Sequence, residues 1–425
     1  MNLTEKDLEY IWHPYTHQFN MPEPILITKG KGANIFDENN NKYIDAISSW
    51  WVNIHGHGNK YIAKQIFKQA KKLEHVIFAG FTHEPAIRLA EKLLELLQFN
   101  FSKIFYSDNG STAVEVAIKM ALQYWSNIGA PAKNKILAFN NSYHGDTFGA
   151  MSAGSRSVFN KAFNEKLFDV VFIDIPTADN LAEIDSILTQ HPDIGIFIYE
   201  PLLQGAGGMQ MYDAKYLTEL LHLLKGKNII CIADEVLTGF YRTGSLFASD
   251  VVYIKPDIIC LSKALTGGTM ALGVTACTQV VHAAFIDSDK TKTFYHGHSF
   301  TANPLACITA LSSIKLLSKP KFIDKVHSLV SLVNEFRSSL LQKQEIFKKT
   351  IKNVRQCGTI VAFEVVGQDS DGYNNTITND FKKFCLDNGV FLRPLGNTIY
   401  IMPPYCIKKK ELRKVFRIVE QYLDK

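Results

Sequence analysis

The spacing of hydrophobic positions changes twice along the chain. In residues 25–47, ILITKGKGANIFDENNNKYIDAI, β-prone runs are broken by Lys-Gly pairs and by Asn39-Asn40-Asn41. That pattern predicts short β elements joined by hairpin turns through the first fifty residues. From about residue 60, helical patterns alternate with short apolar runs at 103–106, 136–139, 170–174, 194–199, 229–234, 257–261 and 272–277. Between two of these runs, Tyr216, Leu217, Leu220, Leu221 and Leu224 recur at helical spacing. Strands that lack polar alternation are buried on both faces. The pattern therefore predicts an α/β fold with a mostly parallel, seven-stranded sheet covered by helices. After residue 305 a long helical stretch, 304–345, leads to strands at 359–365 and 398–403 and an amphipathic helix at 409–423. We expect an N-terminal segment, 1–52, packed with a smaller α+β domain, 306–425, and a large domain, 53–305, between them.

Composition narrows the function classes. The 425 residues are 46% hydrophobic, with 46 basic and 41 acidic side chains. A net charge of +5 over this length is too slight to imply nucleic-acid binding. The one dense basic run, Lys408-Lys409-Lys410, reads as a solvated helix face. No stretch reaches the length of a membrane span, and MNLTEKDLEYIWHPY lacks the apolar core of a signal peptide. Seven cysteines without a C-x-x-C pair fit reduced, buried thiols in a cytoplasmic protein.

Ligands of such sheets bind beyond the carboxyl ends of the strands, so the chemistry is sought at the strand exits. After KIFY comes SDNGSTAVEVAIKMALQYW, where Gly110 and Ser111 open a helix. Free amides and the positive end of the helix dipole suit a phosphate there, although taken alone this is also an ordinary helix start. After ILAF, Tyr143-His144-Gly145 places a ring and an imidazole at a loop mouth. After IICIA comes Asp234, a carboxylate that needs a cationic partner if it is buried. After DIICL comes Lys263 in a glycine-rich setting, either an ion-paired lysine or an amine activated by desolvation. Together these are the parts that hold pyridoxal 5′-phosphate: an amine for covalent attachment, a carboxylate for the pyridine nitrogen, an aromatic ring to stack and a phosphate cradle. The triplets His55-Gly56-His57 and His296-Gly297-His298 lack an accompanying carboxylate or cysteine cluster, which argues against a metal site.

The blocks ADEVLTGFYRTG and SKALTGG resemble the signature of class III aminotransferases, pyridoxal enzymes of fold type I. YHGDT, EPLLQGAGGM and HGHSFTANPLAC are similar to further blocks of that family, from IWHPYT to LRPLGNTIYIMPP. Within it, IWHPYT and SSWWVNIHGHG look most like the biotin-pathway branch. The resemblance implies ping-pong amination of 8-amino-7-oxononanoate to 7,8-diaminononanoate, typically with S-adenosylmethionine as donor and in some relatives with lysine. It also implies a homodimer with shared active sites. Carried over residue by residue, Lys263 would attach the cofactor and move the proton, and Asp234 would face the pyridine nitrogen. Tyr143 would stack on the ring, and Gly110 and Ser111 would hold the phosphate. His298 and Ser299 would complete the phosphate site from the other subunit. Ser299 stands where many relatives have threonine, which keeps the hydroxyl. Tyr15, Trp50, Trp51, Tyr143 and Gly297 would line the substrate channel, and Arg393 would take a substrate carboxylate. Other readings are another class III transaminase of ω-amino acids, a pyridoxal-dependent aminomutase or decarboxylase, and a non-enzymatic relative. The last should lack the lysine or the aspartate, and this chain has both.

Overall fold

The computed structural model describes residues 1–19, 21–98, 100–366 and 376–425. Its centre is a seven-stranded sheet: β1 (Phe101–Ser107), β2 (Lys135–Phe139), β3 (Val170–Ile173), β4 (Ile194–Tyr199), β5 (Ile230–Asp234), β6 (Ile258–Leu261) and β7 (Gly273–Thr278). The order across the sheet is β1-β7-β6-β5-β4-β2-β3. All neighbours run parallel except β7, which is antiparallel to both β6 and β1. Each apolar run picked out by pattern is one of these strands, shifted by at most two residues. The reason is burial: every residue of β4, β5, β6 and β7 is buried. Strands covered on both faces carry no polar alternation.

The helix Gly110–Asn127 packs on one face through Val114, Ala117, Ile118, Ala121 and Trp125, all buried. On the other face the helix Ala214–Gly226 buries Leu217, Leu220, Leu221 and Leu224. A parallel sheet wrapped this way brings the carboxyl ends of β2, β4, β5 and β6 to one edge. That edge carries the cleft described below.

A second sheet joins the two ends of the chain. Ile27–Lys31, Asn34–Asp37 and Lys42–Asp45 form an antiparallel meander, and Val390–Phe391 adds a parallel strand beside Lys42–Asp45. A third sheet pairs Ile351–Cys357, Ile360–Val365 and Thr398–Ile401. The first of these strands is not evident from pattern, because its KNVRQC run is polar and only Ile351 is buried. It is held by a two-residue turn at Gly358-Thr359. There Gly358 has φ 53°, and a Cβ would lie 2.2 Å from the Thr243 carbonyl carbon.

Two other segments differ from expectation. Leu3–Tyr10 is a helix rather than β, closed by a capping box between Asn2 and Glu5. The helical stretch after residue 304 is two helices, Pro304–Leu317 and Pro320–Lys343. Lys319 is extended because it precedes a proline, and Pro320 then starts the second helix at its first position. Among the described residues, no helix is long and apolar enough to cross a membrane.

Candidate active site

A cleft of ≈ 720 Å³ opens at the carboxyl edge of the large sheet. Its lining includes Gly110, Ser111, Tyr143, Asp234, Lys263, Trp50 and Trp51, seven residues drawn from five stretches of the chain. Five strand exits converge there, those of β1, β2, β4, β5 and β6, as the rule for parallel sheets requires.

At the exit of β1, Asn109 caps the helix: its side chain accepts the Thr112 amide, and its carbonyl accepts the Ala113 amide. The amides of Gly110 and Ser111 fall before the first intrahelical bond and have no helical acceptor. Gly110 is required by space, since a Cβ would sit 2.7 Å from Val236 Cγ1.

At the exit of β5, Asp234 Oδ1 accepts the Val236 amide at 3.1 Å, and Oδ2 lies 2.7 Å from His144 Nδ1. The partner of this buried strand-end carboxylate is thus an imidazole from the loop after β2. The opposite ring nitrogen, His144 Nε2, is buried without a hydrogen-bond partner. Glu200, at the exit of β4, accepts the Gly205 amide at 2.9 Å and the Tyr143 amide at 3.1 Å. Burial pushes its carboxyl up to about 7, a rise that the charge of Asp234 adds to and that of His144 opposes.

Lys263 leaves β6 with a left-handed φ of 40°, uncommon for any residue but glycine. Its ammonium lies over the Trp51 ring at 4.6 Å. Desolvation brings its pKa down to about 8. The carboxylates of Asp234 and Glu200 oppose that fall, and the charge of Arg242 adds to it.

The outer wall is aromatic. Trp51 is buried and donates from Nε1 to the Tyr400 hydroxyl at 2.9 Å, whereas Trp50 stays 43% exposed at the cleft. Tyr15 meets Trp50 edge to face at 5.7 Å and donates its hydroxyl to the Asp146 carboxylate at 2.7 Å. The guanidinium of Arg393 lies 4.7 Å from the Trp50 ring. Burial, with help from Tyr15 and Asp146, raises the Tyr143 hydroxyl well above its ordinary value, so it stays protonated.

Five residues singled out by sequence do not line this cleft: Tyr15 and Arg393 contact its lining residue Trp50, and Gly297, His298 and Ser299 lie outside it. Gly297 and Ser299 are exposed and His298 is half-buried. His298 Nε2 is buried without a partner, and Tyr295 and Phe300 on either side are 73% and 65% exposed.

Four residues that shape the site had no role assigned from sequence. Glu200 and His144 stand at strand exits and could have been found by the same rule. Asp146 lies just beyond. Arg242 could not: it is fully buried, and its guanidinium donates to the carbonyls of Pro403 at 3.0 Å and Trp51 at 3.1 Å.

Residues 15–423 match the model of aminotransferase class-III. The chain belongs to the class-III aminotransferase family. Among its relatives, the adenosylmethionine-8-amino-7-oxononanoate aminotransferase of Synechococcus elongatus is 42% identical, over 98% of each chain. The enzyme of that name from Staphylococcus aureus is 39% identical, over 99% of this chain and 96% of its own. The crystal structure of the Methanocaldococcus jannaschii enzyme of the same name superposes with a TM-score of 0.94 at 33% identity, covering 99% of this chain and 98% of that one. An omega transaminase from Pseudomonas jessenii, solved in complex with PMP, superposes at 0.92 with 27% identity, covering 100% and 98%.

Class-III aminotransferases depend on pyridoxal phosphate, and this cleft fits that group. An amine with a lowered pKa, a buried carboxylate braced by an imidazole and a helix start with free amides surround one cavity. These are the residue types that would anchor such a group, face its ring nitrogen and hold its phosphate.

Proposed function

We propose that this class-III aminotransferase moves an amino group to 8-amino-7-oxononanoate, giving 7,8-diaminononanoate in biotin biosynthesis, with S-adenosylmethionine as donor. The observation that carries the reading is the name shared by relatives at 33–42% identity over nearly the whole chain. The wall of the cleft supports it. A long apolar acceptor with a carboxylate at one end and an amino-ketone at the other suits the rings of Tyr15, Trp50 and Tyr143. Arg393 suits the distal carboxylate as a planar fork.

Pyridoxal 5′-phosphate supplies an aldehyde that condenses with amines and a ring that takes up the electrons of a broken C–H bond. The protein's residues do the rest. Lys263 would hold the cofactor, and its Nζ would take the proton from the substrate carbon that bears the nitrogen; a pKa of about 8 suits a base working near neutrality. Asp234, braced by His144, would face the ring nitrogen. Gly110 and Ser111 take the phosphate. Tyr143, held protonated, can donate a hydrogen bond but not act as a base. In the first half-reaction the donor becomes its 2-oxo acid. In the second, the acceptor's ketone carbon becomes an amine.

We further propose a homodimer in which His298 and Ser299 complete the phosphate site of the other subunit and Gly297 lies near its substrate. Their absence from the lining of their own cleft supports this, as do the unpartnered His298 nitrogen and the exposed Tyr295 and Phe300 beside it. A cytoplasmic location agrees with the seven free cysteines.

The test is to mix holoenzyme with S-adenosylmethionine or lysine, without acceptor, and follow the cofactor's visible band. S-adenosylmethionine should bleach the band and 8-amino-7-oxononanoate should restore it. If lysine alone bleaches it, the donor is lysine. The solved omega transaminases favour a second reading, a general ω-amino-acid transaminase. In that case pyruvate restores the band faster than 8-amino-7-oxononanoate does.

A further inference from the structure

The two tryptophans that wall the cleft stand on a backbone most residues avoid. Ser48, Ser49 and Trp51 have φ of 53°, 60° and 70°. Left-handed geometry costs a non-glycine residue about 1–2 kcal/mol, so the surroundings must hold this turn in place. Part of the hold comes from Ser48 Oγ donating to the Met402 carbonyl and from Arg242 donating to the Trp51 carbonyl. The larger part comes from Asp45, the last residue of the strand Lys42–Asp45. Its side chain is fully buried. Oδ1 accepts the Ser49 amide at 2.8 Å and the Ile47 amide at 3.3 Å, and Oδ2 accepts the Ser49 hydroxyl at 3.0 Å.

Oδ2 has one further contact, His57 Nε2 at 2.8 Å. His57 is itself fixed from two sides. Its backbone forms an isolated antiparallel bridge with Gly32, with bonds of 2.8 and 3.0 Å. Its Cβ packs so closely on Gly30 that a side chain there would come within 2.5 Å. The other ring nitrogen, Nδ1, lies 3.3 Å from Asn53 Nδ2. A buried carboxylate that braces three donors of one turn is held best when a further donor satisfies it. Arg242 lends charge from nearby, and the imidazole touches the carboxylate directly.

We propose that Asp45 and His57 form a positioning pair for the double tryptophan, and through it set the enzyme's preference for a long acceptor. Neither residue lines the cleft. They act by holding the left-handed turn that presents Trp51 to the Lys263 amine at 4.6 Å and Trp50 to the Arg393 guanidinium at 4.7 Å. The part about acceptor length rests on the function proposed above; the part about the turn does not.

The experiment has two arms, run on parent, His57→Ala, His57→Gln and Asp45→Asn. In the first, protein labelled with 5-fluorotryptophan is observed by fluorine NMR. The four tryptophans give four assignable resonances. In His57→Ala and Asp45→Asn the signals of Trp50 and Trp51 should shift or broaden, while those of Trp12 and Trp125 stay. In the second, single-turnover titrations compare 8-amino-7-oxononanoate with pyruvate. His57→Ala should lose about tenfold to a hundredfold in kcat/KM with the long acceptor, mostly in KM, and much less with pyruvate, as misplaced binding walls do. His57→Gln, which keeps a donor toward Asp45, should recover most of that loss. Unmoved Trp50 and Trp51 signals in both His57→Ala and Asp45→Asn overturn the proposal. So do equal losses with the two acceptors, or a glutamine no better than alanine. A parent enzyme that prefers pyruvate sinks the proposed acceptor instead, and the fluorine signals then decide the positioning role alone.

Discussion

The lowered pKa of Lys263 can be tested before any turnover. Its amine falls from 10.5 to about 8 because the cleft strips it of water. Near neutral pH that makes the reactive, unprotonated amine about 300-fold more abundant than on a free lysine. The assay is covalent capture of pyridoxal phosphate by apoenzyme, trapped with borohydride at short times from pH 6.5 to 10.5. Nα-acetyl-lysine, run in parallel, removes the cofactor's own titrations. Capture by the enzyme relative to the free amine should be greatest below pH 8 and fall away as pH approaches 10.5. The same shift predicts a stability change in the apoprotein. Below pH 8 both folded and unfolded chains hold the proton, and the folded state bears the full cost of burying the charge. Between 8 and 10.5 the unfolded chain binds more protons, so stability rises with pH; above 10.5 it levels off. The gain is at most roughly 3 kcal/mol, and water in the open cleft, to which Lys263 is partly exposed, tempers it. Lys263→Met should lack that rise in denaturant titrations. A constant ratio of enzyme to free-amine capture across the range, or the same pH profile of stability in Lys263→Met, would refute the reasoning.

Asp234→Asn should retain cofactor poorly and lose most activity, because an amide cannot stabilise a protonated ring nitrogen; parent-like turnover and cofactor affinity would make Asp234 a structural partner of His144 only. Arg393→Ala should weaken the 8-amino-7-oxononanoate half-reaction by about 2–4 kcal/mol, as when one partner of a buried charge pair is removed. Trp50→Ala should penalise that acceptor more than pyruvate, and single-turnover titrations that show an unchanged preference would count against the channel. Mixing Lys263→Ala subunits with subunits carrying an inactivating Ser299 substitution should restore activity through heterodimers with one intact site; no recovery between subunits shown to exchange would argue against a shared site.

Much of the site was legible because a parallel sheet makes local sequence informative. An apolar run marks a strand, its end marks the cleft, and Gly110, Tyr143, Asp234 and Lys263 all follow such runs. The same rule reaches Glu200 and His144, although neither was given a role. The helix Leu3–Tyr10 was signalled by Asn2 and Glu5, but the β-rich residues after it masked so short an element. Ile351–Cys357 left no signal, because its strand character comes from pairing with Ile360–Val365 rather than from its own burial.

The sequence by itself determined the seven strands, the helices that cover them and the residues at their exits, since burial on both faces writes itself into composition over a few neighbouring positions. Only the tertiary structure decided which exits meet and what braces them. Tyr15 reaches Asp146, Trp51 reaches Tyr400, Arg242 reaches Pro403, and Asp45 and His57 close on the tryptophan turn. Most of these contacts join positions more than a hundred residues apart. They depend on the order of strands across the sheet and on the pairing of Val390–Phe391 with Lys42–Asp45. A hydrogen bond between distant side chains leaves no periodicity in either segment, so its existence is settled by packing and not by pattern.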